Sequence, residues 1–138
     1  MPLNYKWADE APGILICVFE SEWTWDEVFS QLKAITEMTE ASPEPIIDSI
    51  ADLSKSRRFP TGNLAQMRRL MTFATPKIGL CIIISENLLI ETAVNTFRRV
   101  FPPFAKNFNV ARTRDLAFMM IAQERERRAV KAKAYAGN

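Results

Sequence analysis

Apolar positions follow two rhythms along this chain. Residues 14–19 (Ile-Leu-Ile-Cys-Val-Phe) and 78–84 (Ile-Gly-Leu-Cys-Ile-Ile-Ile) are continuous apolar runs of strand length, the pattern of strands covered on both faces. Residues 46–53 read as another strand, interrupted by Asp48 and Asp52. Residues 5–8 and 108–111 are short, which predicts a first strand in a hairpin and a last strand at a sheet edge. Between these runs the spacing turns helical. Trp25, Val28, Phe29, Leu32 and Ile35 form one inward face, and Ser42-Pro43-Glu44-Pro45 stops that helix. Leu64, Met67, Leu70, Met71 and Ala74 predict a second helix ended by Thr75-Pro76. Leu89, Ala93, Val94, Phe97 and Val100 predict a third, ended by Pro102-Pro103, and Leu116, Ala117, Met120 and Ile121 a fourth.

Local chemistry supports these boundaries. Thr24-Trp25-Asp26-Glu27 is a capping box, flanked by Trp23 and Val28 at the two positions of a hydrophobic staple. Ser85 is placed to cap the third helix and Thr113 the fourth, with Asp115 in the first turn. The order is therefore β-β-α-β-α-β-α-β-α. It predicts an α/β fold with a single mixed, mostly parallel sheet of five strands and four helices, the first hairpin adding an antiparallel edge. Residues 1–123 make the α/β domain. Residues 124–138 read as a charged helix extension and tail, since 123–133 are charged almost all round and are expected to be solvated, with pairs such as Glu124–Arg128.

Composition narrows the chemistry. The chain has 138 residues, one domain's length, and a net charge of +2, too small to call for nucleic acid. It contains no histidine, which removes Ser-His-Asp and Cys-His nucleophilic systems and His-ligated zinc. No metal cluster, Walker motif or GxGxxG is visible, Gly79 standing alone, so no metal, cofactor or catalytic residue is expected. Cys17 and Cys81 lie inside apolar runs without CxxC spacing and read as core thiols of a reducing compartment, a disulfide or redox pair being the alternative. The first residues lack an apolar signal core, and no run is long enough to span a bilayer, so a cytoplasmic location without an integral membrane segment is expected.

The element order and the residues around the third strand resemble the STAS family, the domain of anti-anti-sigma factors and of sulfate-transporter tails, over residues 4–123. In that family a D-L-S-like sequence ends the third strand, and a phosphorylatable Ser directly before a Gly opens the next helix. Asp52-Leu53-Ser54 matches the first feature, and Thr61-Gly62 stands where the Ser-Gly would be. The family's acidic residue before the acceptor has no counterpart in Arg57-Arg58-Phe59-Pro60. A divergent STAS-like branch, closer to lipid-binding SEC14-type domains, fits equally well. The resemblance implies a non-enzymatic regulatory module with a protein partner, switched at loop 57–64.

The candidate site residues follow from this. Thr61 is the candidate phosphoacceptor, because a helix N-terminus and the neighbouring Arg57 and Arg58 favour an added phosphate; equally, Thr61 is explained as a plain N-cap. Asp52, Ser54, Arg57, Arg58 and Gly62 are the loop and anion-binding candidates. Arg68-Arg69, Arg98-Arg99, Arg112 and Arg114 either join them in one anionic-ligand surface or serve solubility. Two other readings stand beside the signalling one. The first is a small-molecule or lipid binder, with an apolar pocket under the Met-rich second or fourth helix (Met67, Met71, Met119, Met120). The second is a carboxylate-dependent enzyme built on Asp52 with a neighbouring Lys or Arg. Homo-oligomerisation is compatible with all three.

Overall fold

A computed structural model of the chain describes residues 3–57, 63–73, 76–102 and 107–136. Among them the elements run β1 (Leu3–Trp7), β2 (Ile14–Ser21), α1 (Trp25–Ala41), β3 (Ile47–Ser56), α2 (Asn63–Leu70) with a 3-10 turn (Met71–Phe73), β4 (Ile78–Ile84), α3 (Leu88–Val100), β5 (Phe108–Ala111) and α4 (Arg114–Ala136). The strands form one sheet in the order β1-β2-β3-β4-β5. β1 pairs antiparallel with β2, and every later pairing is parallel. The predicted α/β class and element order are those of the structure.

That monotonic order has a geometric consequence. Right-handed crossovers that always step in one direction put all their helices on one face of the sheet. α1, α2 and α3 therefore share one face, and α4, which follows the last strand, covers the other. The strand period of two sorts the apolar residues accordingly. Cys17, Phe19, Ala51, Leu53 and Ile83 join Trp23, Trp25, Val28, Ile90, Val94 and Phe97 on the crossover face. Ile14, Ile16, Ile50, Ile82 and Ile84 meet Ala117 and Ile121 of α4 on the opposite face.

Caps decide the helix starts. Thr24 is extended (φ −118°, ψ 156°), and its hydroxyl accepts from the Glu27 amide at 3.2 Å. The Glu27 carboxylate accepts from that same hydroxyl at 3.1 Å. The staple residues Trp23 and Val28 are both buried. At α3 the cap is Asn87, whose side chain accepts from the Leu89 amide at 2.9 Å, and not Ser85. Ser85 is buried two residues earlier and holds the turn by accepting from the Asn87 amide at 3.0 Å. Thr113 caps α4 as expected, accepting from the Leu116 amide at 3.2 Å.

Candidate functional site

A cavity of about 550 Å³ lies between the crossover face of the sheet and α1, with Leu70 and Phe73 along its side. Its walls grade along the strand axis, because α1 runs antiparallel to the strands it crosses. Near the strand C-termini the wall is aromatic: Phe19 meets Trp23 edge-on at 4.9 Å, Trp23 meets Trp25 at 5.2 Å, and Trp23 Nε1 donates to Ser56 Oγ at 2.8 Å. Behind them Phe29 stacks on Phe73 at 6.2 Å, and the Arg69 guanidinium lies 3.9 Å above the Phe29 ring. Near the strand N-termini the wall gains small polar groups from Thr36, Thr39, Ser49 and Asn107. Trp23 and Trp25 thus serve both the helix start and the cavity.

The cavity is not where the methionines pointed. Met119 is exposed, and Met120 packs against the opposite face, so α4 takes no part in it. Only α2, through Leu70, borders it as the sequence reading expected; the side chains of Met67 and Met71 lie outside the described residues.

Both thiols line this cavity and both are free. Cys17 sits on β2 and Cys81 on β4, with β3 between them. Two interstrand spacings separate their backbones by roughly 9–10 Å, beyond the roughly 7 Å limit for a disulfide. The redox-pair alternative is therefore ruled out by geometry. Burial pushes the Cys17 thiol up to about 12, with the Cys81 thiol adding to the effect. Burial likewise raises Cys81, partly offset by a hydrogen bond from Ser49. Both are protonated near neutrality and are poor nucleophiles.

The two aspartates of β3 close two bulges. Between Val18↔Asp52 and Glu20↔Lys55 the register shifts by one residue, so β3 carries an extra residue opposite β2. An inserted residue leaves an amide off the ladder. Asp52 Oδ1 accepts from the Ser54 amide at 2.9 Å and from the Ser54 hydroxyl at 2.6 Å. Two sequence candidates are thereby joined, with Asp52 buried and Ser54 exposed, in a contact that shapes the strand. β3 also runs on to Ser56, past the expected end at residue 53.

The second bulge falls in β4, between Ile47↔Ile78 and Ser49↔Cys81. Asp48 faces it, fully buried, and Asp48 Oδ1 accepts from the Leu80 amide at 2.8 Å. Gly79 leaves the necessary room, since a Cβ there would collide with Asp48 Oδ1. Two arginines of α4 complete the shell. Arg125 Nε donates to Asp48 Oδ2 at 2.9 Å, while Arg128 donates from Nη2 to Oδ1 at 2.8 Å and from Nη1 to Oδ2 at 3.1 Å. Arg125 also reaches the Pro12 and Gly13 carbonyls at 2.7 and 2.9 Å, so it ties the β1–β2 turn to the same point. Burial alone would push the Asp48 carboxyl up. The hydrogen bonds from Arg128, Arg125 and the Leu80 amide, with the Arg128 charge, outweigh it and hold the group below its ordinary value.

This network corrects the expectation that 123–133 are solvated. The predicted Glu124–Arg128 pair exists at 3.5 Å, yet Arg125 and Arg128 turn inward onto Asp48. Period-3.6 apolar counting could not find them, because the inward-facing residues are charged. The uncomfortable Asp48 in a core strand was the signal, and an Arg at i and i+3 of a packed helix the answer.

Of the remaining sequence candidates, Arg58, Thr61 and Gly62 lie outside the described residues. Arg57 is exposed just beyond β3, its amide donating to the Ser21 carbonyl at 2.9 Å. Arg68-Arg69 and Arg98-Arg99 occupy the last turns of α2 and α3, where cations complement helix dipoles, and Arg68 and Arg69 lie over the Phe101 and Phe29 rings. Arg114 pairs with Glu10 at 3.5 Å. Among the described residues no group of His, Cys, Asp or Glu is placed to hold a metal, and no helix is long and apolar enough to cross a membrane.

No family model matches the chain, and no curated protein matches it. Among solved structures, it superimposes on an uncharacterised DUF3478-family protein with a SpoIIAA-like fold from Shewanella loihica PV-4. The TM-score is 0.61, with 86% of this chain and 90% of that one covered, at 12% sequence identity. The chain has a SpoIIAA-like fold. This is the STAS-like architecture that the element order and Asp52-Leu53-Ser54 resemble. The C-terminal end of β3, which leads to Arg57, and the polar end of the cavity lie at opposite ends of that strand.

Proposed function

We propose that this SpoIIAA-like domain is a non-enzymatic binding module that holds a small apolar or amphipathic molecule between its sheet and α1. The cavity carries this reading. Ligand pockets typically run from roughly 300 to 1,000 Å³ with mostly apolar linings, and this one falls within that range. Three features support a non-catalytic role. The cavity thiols are protonated, and Asp48 and Asp52 are bound by amides, a hydroxyl and guanidinium groups. Those two carboxylates also stand four strand residues apart, roughly 13 Å, too far to act as a pair. Titration with the neutral dye Nile red should show saturable binding to the wild type and loss of it in Ala51→Phe, whose ring would fill the cavity, with the melting curve retained. Equal dye binding by both proteins would refute the reading.

A second reading, a regulatory module acting on a protein partner, is supported by the SpoIIAA-like fold and by the surface at the strand C-termini. Arg57 and Ser54 are exposed there, and Leu88 and Leu89, at the start of α3, are 68% and 77% exposed. On this reading a negative charge at Thr61 alters partner binding while leaving the core intact. Pulldowns from source-cell lysate with wild type, Thr61→Glu and Thr61→Ala should recover different partner amounts. Identical recovery would refute the switch at Thr61.

A further inference from the structure

We infer that the occupant of this cavity is a neutral amphipath with an uncharged polar end, and that the cavity rejects the corresponding carboxylate. The inference rests on the cavity being a ligand site and adds the chemical class of the ligand. Its first support is charge. Among the described residues, no Asp, Glu, Lys or Arg lines the cavity. Three cations among the described residues adjoin lining residues in sequence: Lys33 is exposed, the Arg69 guanidinium lies over the Phe29 ring, and the Lys77 ammonium reaches the Ser42 carbonyl at 2.7 Å and the Glu40 carbonyl at 3.5 Å. Asp48 points to the opposite face. An ionised group moved from water into such a site would lose its hydration without gaining a counter-charge.

The second support is the set of uncharged hydrogen-bonding groups at the polar end. A hydroxyl has one proton to donate and two lone pairs to accept with. Thr39 is buried and donates its proton to the Ile35 carbonyl at 2.9 Å, so its lone pairs are what it has left for an occupant. The Ser49 hydroxyl bonds to Cys81 beside it. Asn107 adds an uncharged amide. These hydroxyls and the Asn107 amide, which both donates and accepts, suit an uncharged polar group but supply no charge to balance a carboxylate. The opposite end, walled by Trp23, Trp25 and Phe73, is predominantly aromatic, which sets the orientation: polar end toward the strand N-termini, apolar body toward the aromatic rings.

Matched ten-carbon ligands test this directly. 1-Decanol, decane and decanoate are titrated into the full chain at about pH 8, read by tryptophan fluorescence and calorimetry. Decanol is expected to bind at least about tenfold tighter than decanoate, the equivalent of 1.4 kcal/mol, and tighter than decane. The decanoate deficit should shrink as the pH falls to about 5, where the ligand's carboxyl begins to protonate. Thr39→Val and Ser49→Ala, each checked for an unchanged melting curve, should bring decanol toward decane and leave decane unaltered. Decanoate binding as tightly as decanol, or decanol keeping its advantage in both variants, would overturn the inference while leaving the cavity a ligand site. Failure of all three ligands to bind the wild type would overturn both.

Discussion

Asp48 makes four hydrogen bonds to two arginines and one backbone amide, with no exposed surface of its own. Removing one member of a buried ion pair leaves the other charge desolvated, which costs about 3–5 kcal/mol. Asp48→Ala should therefore destabilise the fold by that amount in denaturant titration. Asp48→Asn keeps the shape without the charge and isolates the pH dependence. In the folded protein the carboxyl is held below its ordinary value of 3.8, so its contribution is present at pH values above that point. It is lost as the pH falls through the lower, folded value. The stability gap between wild type and Asp48→Asn should be full at neutral pH and shrink only on acidification below about pH 4. A gap that stayed constant down to about pH 2 would mean that the guanidinium contacts do not depend on the carboxylate charge.

At the scale of single elements, legibility followed how a residue earned its place. β2, β4 and β5 began where their apolar runs begin, and α1 began at its capping box, because burial and caps are local, periodic signals. β3 ran three residues past its expected end, since the Asp52–Ser54 bulge let a polar stretch stay in the ladder and carried Lys55 and Ser56 into pairing with β2. Ser85 looked like a cap by residue type, but the chain turns two residues later, at Asn87. The cavity was legible only in part. Trp23 was explained by the staple and Trp25 by the inward face of the helix, and nothing in their spacing shows that the space beside them is left open. Volume between elements depends on how far apart sheet and helix sit, a property of the whole packing that no periodicity records. Asp48 drew notice as a carboxylate in a core strand, but its partners are 77 and 80 residues away in the chain.

Across the whole molecule, the two faces of the sheet do different work. The crossover face leaves a cavity under α1, while on the opposite face the isoleucines of β2, β3 and β4 meet Ala117 and Ile121 of α4. A domain that leaves space on one face depends on the other for its rigidity, and α4 is held there at two places. Its first turns insert Ala117 and Ile121 among the isoleucines, and farther along Arg125 and Arg128 clamp Asp48 and the β1–β2 turn. Residues 129–135 are exposed. Two truncations separate these contributions. A chain ending at Arg128 retains both attachments and should match the full chain within about 0.5 kcal/mol, the usual range for surface changes. A chain ending at Gln123 keeps the apolar turns but strands the Asp48 carboxylate without either guanidinium, and should lose about 3–5 kcal/mol, much of the roughly 5–15 kcal/mol that holds a domain folded. Combining the shorter chain with Asp48→Leu, which removes the stranded charge, should recover part of that loss. Equal stability of the two truncations in urea titration would show that the clamp contributes nothing and that α4 is held by its apolar turns alone.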